Sequence, residues 1–209
     1  MKAHTKETQA TLTPQKALDF LKEGNQRFQN NLKANRNLLE QVNDTSDGQF
    51  PFATILSCID SRVSAELVFD QGLGDIFSVR IAGNFINSDI LGSMEFACKL
   101  AGTKLVVVLG HTSCGAIKGA CDHAELGNLT GMLAKITPAV DAVKEPTDLS
   151  QRTSKNSDFV DAVSEKNVLI AIENILKDSP VLTEMKTKGE IEIVGAMYDI
   201  NTGEVRFFD

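Results

Sequence analysis

Short apolar runs at residues 52–56, 76–81 and 104–110 set the rhythm of this chain. The third, Lys-Leu-Val-Val-Val-Leu-Gly, has no polar alternation, the pattern of a strand buried on both faces of a parallel sheet. Helical spacing fills the intervals at 64–69, 90–101 and 116–121, and two further helical segments at 126–143 and 158–176 flank a polar loop at 144–156. Strands that alternate with helices predict an α/β fold, a mostly parallel central β-sheet flanked by helices. Towards the C-terminus Ile191, Ile193 and Val194 make a strand pattern, Asn201-Thr202-Gly203 a turn and residues 205–208 a second strand, which together predict a C-terminal β-hairpin.

The N-terminal part has a different character. Thr13 is a good helix cap with Pro14 at the first helical position, and Ala17, Leu18, Phe20, Leu21 and Phe28 recur at helical spacing, so residues 13–32 are expected to form an amphipathic N-terminal helical arm. The Asn-rich stretch that follows, ending in Asn-Asp-Thr-Ser-Asp-Gly at 43–48, reads as a loop. The 209 residues are expected to form one domain, with arm and loop at 1–48 and an α/β core at 49–209.

Composition narrows the function. With 42% apolar and 23% charged residues the chain can bury a core, and its net charge of −7 argues against a nucleic-acid-binding surface. The first twelve residues carry no apolar signal-peptide core, and no run of about 18 apolar residues exists, so no membrane span is expected. A cytoplasmic location follows, where thiols stay reduced. The four cysteines then read as ligands, nucleophiles or core residues rather than a disulfide frame.

Two segments concentrate reactive side chains. Cys58-Ile59-Asp60-Ser61-Arg62 follows the first apolar run, and His111-Thr112-Ser113-Cys114-Gly115 follows the third. Both fall at the carboxyl ends of strands, where ligands of open α/β sheets collect. Two thiolates and an imidazole suit Zn²⁺, and three protein ligands leave the fourth position open, the catalytic rather than the structural pattern. Cys58, His111 and Cys114 are therefore the candidate ligands of one zinc per chain. Asp60 and Arg62, two apart, are placed to pair by charge-assisted hydrogen bonds and to act on water at that open position. Cys98 reads as a small core residue, and the absence of any Cys-x-x-Cys excludes a dithiol redox site.

Cys58-x-Asp60-Ser61-Arg62 with His111-x-x-Cys114-Gly115 resembles the β-class carbonic anhydrases. The likeness extends through Val63, Ala65-Glu66-Leu67, Gly74-Asp75-Ile76-Phe77, Val79-Arg80, Ala82, Asn84 and residues 110–119, and covers most of 13–121. It implies a zinc lyase that reversibly hydrates CO2 to bicarbonate and a proton by attack of hydroxide generated at the zinc. It also implies a homo-oligomer, a dimer or a tetramer built from dimers, in which a pocket is completed across the subunit interface. In that pocket Gln49, nine residues before Cys58, matches a glutamine that helps bind the substrate oxygen. Phe77 matches an aromatic wall, Phe96 stands where several members have Tyr, and Gly115 joins the substrate-binding set. For Phe77 and Phe96 plain core packing explains the residue equally well, as packing on its own core does for the arm that in the family reaches over a partner. In allosteric members the aspartate closes onto the zinc when bicarbonate fills a second pocket, which needs a Trp three residues before the first Cys and a Gly immediately before it. Here those positions are Ile55 and Ser57, and the chain has no Trp. The resemblance therefore implies a non-allosteric, open site with Asp60 paired to Arg62.

Three other readings compete: a related lyase acting on CS2, a non-catalytic zinc-stabilised assembly module, and a nucleotide-binding α/β enzyme. The Asp60–Arg62 pair and Gln49 have no purpose in a structural zinc site, and the glycines at 72, 74 and 83 lack the G-x-G-x-x-G spacing.

Overall fold

The computed structural model of the protein describes residues 2–208. Its elements run α1 (Lys6–Ala10), α2 (Pro14–Gln29), α3 (Leu38–Asp44), β1 (Ala53–Ser57), α4 (Ala65–Val68), β2 (Ile76–Arg80), α5 (Ser88–Glu95) continued by a π-helical turn (Phe96–Leu100), and β3 (Leu105–His111). They continue α6 (Gly115–Cys121), α7 (Gly127–Leu133), α8 (Thr137–Ala142), a 3₁₀ turn (Leu149–Gln151), α9 (Ser157–Asp178), α10 (Pro180–Thr187), β4 (Glu192–Tyr198) and β5 (Val205–Phe207).

The five strands form one sheet in the order β2-β1-β3-β4-β5. The first three pairings are parallel and β4–β5 is an antiparallel hairpin, so the sheet is mostly parallel as its alternating pattern predicts. β1 lies between β2 and β3, and the chain leaves it towards one edge and later crosses to the other side. The ends of β1 and β3 thus form the switch point at which open parallel sheets bind their ligands.

β3 shows why its sequence lacks polar alternation. Leu105, Val107 and Leu109 join one apolar layer with Ala17, Leu21, Ile55 and Phe69, whereas Val106 and Val108 join the opposite layer with Leu56, Met94, Val168 and Ile175. Both faces are covered, so every position must be apolar. A third cluster, with Ile117, Ile136, Phe159, Val160 and Val163, packs around Cys58 and Cys114.

The arm α2 starts as expected, with the Thr13 hydroxyl accepting from Lys16 N and Pro14 in the first turn. It packs on its own chain: Ala17 and Leu21 are fully buried against the sheet. Two local expectations need correction, and two elements lie where the sequence pattern assigns none. The stretch expected to be loop contains α3, started by the Asn37 side chain accepting from Glu40 N at 3.2 Å. The N-terminal tail contains α1, pinned by Gln9, whose amide donates to Pro51 O at 2.7 Å and Ala101 O at 2.8 Å. Residues 126–143 are two helices rather than one, because Pro138 lacks the N–H that a continuous helix would donate to Ala134. Finally, α10 begins at Ser179-Pro180, where the Ser179 hydroxyl accepts from Leu182 N, within a stretch to which the apolar pattern assigns no element.

Candidate metal centre

Cys58 is the residue after β1, His111 is the last residue of β3, and Cys114 precedes the first residue of α6. Because Ser57 pairs with Leu109 across the parallel ladder, the two ligand segments leave the sheet side by side. The ligand atoms of Cys58, His111 and Cys114 all lie within 4.8 Å of one another, and all three residues are buried.

The donor set fits zinc on three counts. The Cys58 and Cys114 sulfurs are 3.9 Å apart, close to the separation of about 3.8 Å that tetrahedral zinc imposes on two thiolates at about 2.3 Å. His111 Nδ1 donates to Thr112 O at 2.9 Å, which fixes the tautomer and leaves Nε2 as a lone-pair donor. That Nε2 is buried with no hydrogen-bond partner, an arrangement that costs about 1–3 kcal/mol unless something binds there.

The two thiols are close enough for one to hydrogen-bond to the other. Cys58 is drawn well below the ordinary thiol range, chiefly by the hydrogen bond from Cys114 and further by His111 and the Gly83 N–H, against the opposing effect of burial. Cys114 is pushed up by that same bond to Cys58 and by its own burial. Cys98 behaves differently: burial raises it to about 11 and Thr103 donates to it at 3.3 Å, as suits a core residue.

Asp60 and Arg62 form a bidentate pair, with Arg62 Nε to Oδ1 at 3.0 Å and Nη2 to Oδ2 at 2.7 Å, and the Arg62 backbone N–H also donates to Oδ1 at 2.9 Å. These bonds hold the Asp60 carboxyl below the usual carboxylate range. Arg62 is 52% exposed, so the pair adds little stability, and its effect is to orient the carboxylate. Asp60 Oδ2 comes within 4.0 Å of His111 Nε2, which places it on the ligand set. Arg80 braces the segment from behind by donating to Cys58 O at 3.0 Å and Asp60 O at 2.7 Å.

A cleft of about 270 Å³ opens at this centre. Cys58, Asp60 and Gly115 lie in its wall, and Ala116, Leu129, Met132 and Leu133 make it predominantly apolar. Gly115 is thereby placed beside the ligands. Gln49, Phe77 and Phe96 line other hollows. Gln49 is exposed in a groove with Thr45, Leu73 and Gly74. Phe77 sits on the edge strand β2 against Phe96, ring centroids 6.3 Å apart, and Phe96 is 52% exposed.

Three residues not singled out from the sequence also bear on the centre, all on α9. Asp161 Oδ1 accepts from Ser113 N at 2.8 Å, the Ser164 hydroxyl donates to His111 O at 3.1 Å, and Asn167 Nδ2 donates to Gly83 O at 2.8 Å. Their signal in the sequence is weak: polar residues at intervals of three along one helix, with the charged Glu165 and Lys166 among them.

Comparison with known proteins agrees with this geometry. The family model of carbonic anhydrase matches residues 53–205. Carbonic anhydrase 2 of Mycobacterium tuberculosis is 36% identical over 191 residues, covering 91% of this chain and 90% of its own. The carbonic anhydrase of Mycolicibacterium smegmatis is 34% identical, covering 92% of each. Among solved structures the β-carbonic anhydrase CcaA superposes with a TM-score of 0.72 at 28% identity, covering 92% of this chain and 95% of that one. The chain belongs to the β-class carbonic anhydrase family, and its activity is the zinc-dependent, reversible hydration of carbon dioxide to bicarbonate and a proton.

Proposed function

We propose that the site works in a non-allosteric, open form in which Asp60 stays on Arg62 and acts on the reacting water rather than on the metal. The observation that carries this reading is the set of three hydrogen bonds that hold both Asp60 oxygens in place. In this reading Cys58, His111 and Cys114 hold the ion. Bound zinc supplies the Lewis acidity that brings the ionisation of water down towards neutral pH. Asp60 Oδ2 accepts a hydrogen bond from the reacting water and turns its lone pair towards the cleft. Arg62 keeps Asp60 ionised, so the carboxylate acts as an acceptor at every working pH. The apolar wall of Ala116, Leu129, Met132 and Leu133 excludes competing water and suits a linear, uncharged gas molecule, and the Gly115 position leaves room for substrate because it carries no side chain. Ile55 and Ser57, both fully buried, occupy the positions where an allosteric pocket would need Trp and Gly.

Gln49, Phe77 and Phe96 are assigned to the same pocket from a second copy of the chain. Exposed apolar side chains support the homo-oligomer: Val42 and Leu73 line the hollow of Gln49, Leu38 and Leu39 are exposed on α3, and Phe96 stands out beside Phe77 of β2. The assembly is a dimer, with a tetramer as its doubled form. No helix among the described residues is long and apolar enough to cross a membrane, and a centre built on two free thiols suits the reducing cytoplasm.

Stopped-flow CO2 hydration with zinc content measured on the same sample tests the reading. Asp60→Asn should retain one zinc per chain and lower kcat/KM by about a hundredfold, the scale of removing one oriented polar partner from the reacting group. Stoichiometric zinc without hydration, or a crystal structure at neutral pH with an Asp60 oxygen on the metal, would overturn it.

A further inference from the structure

Helix α9 carries Asp161, Ser164 and Asn167 at intervals of three residues, neighbours along one side of a helix that climb about 9 Å in total. Each makes its hydrogen bond to backbone, and none of the three lines the cleft. Ser164 and Asn167 are 1% and 3% exposed, so their polar groups are bonded to protein and not shared with solvent. Asp161 takes the N–H of Ser113, the residue before Cys114; Ser164 binds the carbonyl of His111; and Asn167 binds the carbonyl of Gly83, whose own N–H donates to Cys58 Sγ at 3.4 Å. One helix face thus reaches all three ligands, His111 through its own carbonyl and Cys114 and Cys58 through one intervening residue each, Ser113 and Gly83.

The bond at Ser113 opposes a local cost. Ser113 has φ +55, in the left-handed region that side chains other than glycine avoid, and the turn 111–114 needs that bend to bring Cys114 back towards His111. A carboxylate accepting the Ser113 N–H holds the turn in this conformation before any metal arrives. Similarly, Gly83 has φ +78, and an ideal Cβ there would come within 2.4 Å of Ile136 Cδ1, so the loop carrying the N–H to Cys58 is held closely from one side and pinned by Asn167 from the other.

We propose that Asp161, Ser164 and Asn167 are positioning residues that preorganise Cys114, His111 and Cys58 for the metal, so that the binding face of the site is written on α9. This rests on the three-ligand reading of the zinc site. Outer partners of this kind commonly govern metal affinity by about 10- to 100-fold.

The test is zinc affinity of the purified full chain, stripped of metal and titrated in competition with a chromophoric chelator. Cobalt-loaded samples report the thiolate-to-metal absorption bands. Asp161→Ala should weaken zinc binding by about 10- to 100-fold and shift the cobalt–thiolate bands. Asp161→Asn should bind within about threefold of wild type, because its Oδ1 still accepts from Ser113 N–H. That rescue separates hydrogen-bond positioning from the carboxylate's charge and from helix packing. Ser164→Ala removes one buried oxygen, is the mildest change, and should weaken binding by about tenfold. Should Asp161→Ala not fold, Ser164→Ala and Asp161→Asn decide the matter. Zinc affinity and cobalt bands unchanged in Ser164→Ala, or in a folded Asp161→Ala, would overturn the proposal while leaving the zinc site standing. Zinc binding that survives Cys58→Ser undiminished would instead overturn the ligand set itself, and this inference with it.

Discussion

Gly24→Ala sets two physical effects against each other, and the structure decides the sign. Gly24 lies in the interior of α2, where replacing glycine with alanine ordinarily stabilises by up to about 1 kcal/mol through helix propensity. Here an ideal Cβ would stand 1.8 Å from the Phe69 carbonyl oxygen and 2.7 Å from its carbonyl carbon. The shortfall from ordinary contact is about 1.6 Å, and the obstacle is backbone, which has no rotamer to move out of the way. The arm must therefore withdraw. Withdrawal loosens the burial of Ala17 and Leu21 and stretches the bonds that fix Asn25, whose Nδ2 donates to Val68 O at 3.1 Å and Gly203 O at 2.9 Å, and whose Oδ1 accepts from Val205 N at 2.9 Å. Overpacking costs about 1–3 kcal/mol and the weakened Asn25 bonds about 1 kcal/mol each. Set against the propensity gain, the net expectation is a loss of about 3 kcal/mol, or a Tm lower by about 6–12 °C for a chain of this size. Gly131→Ala is the control. It also lies in a helix, α7, but nothing stands within 4 Å of its added Cβ, so it should gain up to about 1 kcal/mol. Thermal and urea unfolding at fixed protein and zinc concentration measure both. A Gly24→Ala chain as stable as wild type, or more so, would refute the seating of α2 on its own sheet.

Two further predictions concern charge. Asp70 is 9% exposed, and its carboxyl is held below the ordinary range: burial would raise it, but Arg27 at 2.5 Å, the Ala34 N–H at 2.9 Å and Arg36 at 2.7 Å outweigh burial. A depressed native pKa means that the unfolded chain binds more protons, so this stabilisation is present above about pH 4 and is lost as pH falls through the lower native value. Asp70→Asn should cost about 2 kcal/mol at pH 7 and flatten the acid limb of the stability curve; equal acid sensitivity in the two chains by urea unfolding would refute the assignment. At the metal centre, the hydrogen bond between the two thiols lowers Cys58 and raises Cys114, so the pair favours holding one proton between them. Zinc uptake at pH 7 should therefore release about one proton per ion rather than two, measured by calorimetry in buffers of different ionisation enthalpy, and a count of two would contradict the shared-proton pair.

What the sequence made legible, and what it hid, divides by the direction in which polar side chains face. The run at 104–110 announced β3 because burial on both faces forbids polar residues there. Thr13-Pro14 announced α2 because capping is local chemistry. The ligand motif was legible because Asp60, Arg62 and His111 stand at strand ends, where a buried apolar run stops and chemistry begins. The hidden parts share another trait. Gln9 is buried and holds α1 through Pro51 and Ala101; Gln41, 1% exposed, seats α3 by accepting from Leu73 N at 3.2 Å; Asp161, Ser164 and Asn167 turn inwards from α9. An apolar-periodicity reading assigns such residues to solvent, so it passes over α1 and leaves α3 as loop, and although it finds the helix at 158–176 it does not single out the inward polar residues on it. The physical logic runs the other way. Loops and strand ends carry backbone N–H and C=O groups with no ladder partner, and burying them unpaired costs more than burying a side chain that satisfies them. A polar residue inside an apolar helical pattern therefore marks the place where the core must meet irregular backbone. In an open α/β sheet that place is the carboxyl end of the central strands, which is also where the ligands stand, so the inward polar residues of α9 are the ones that touch the metal loops.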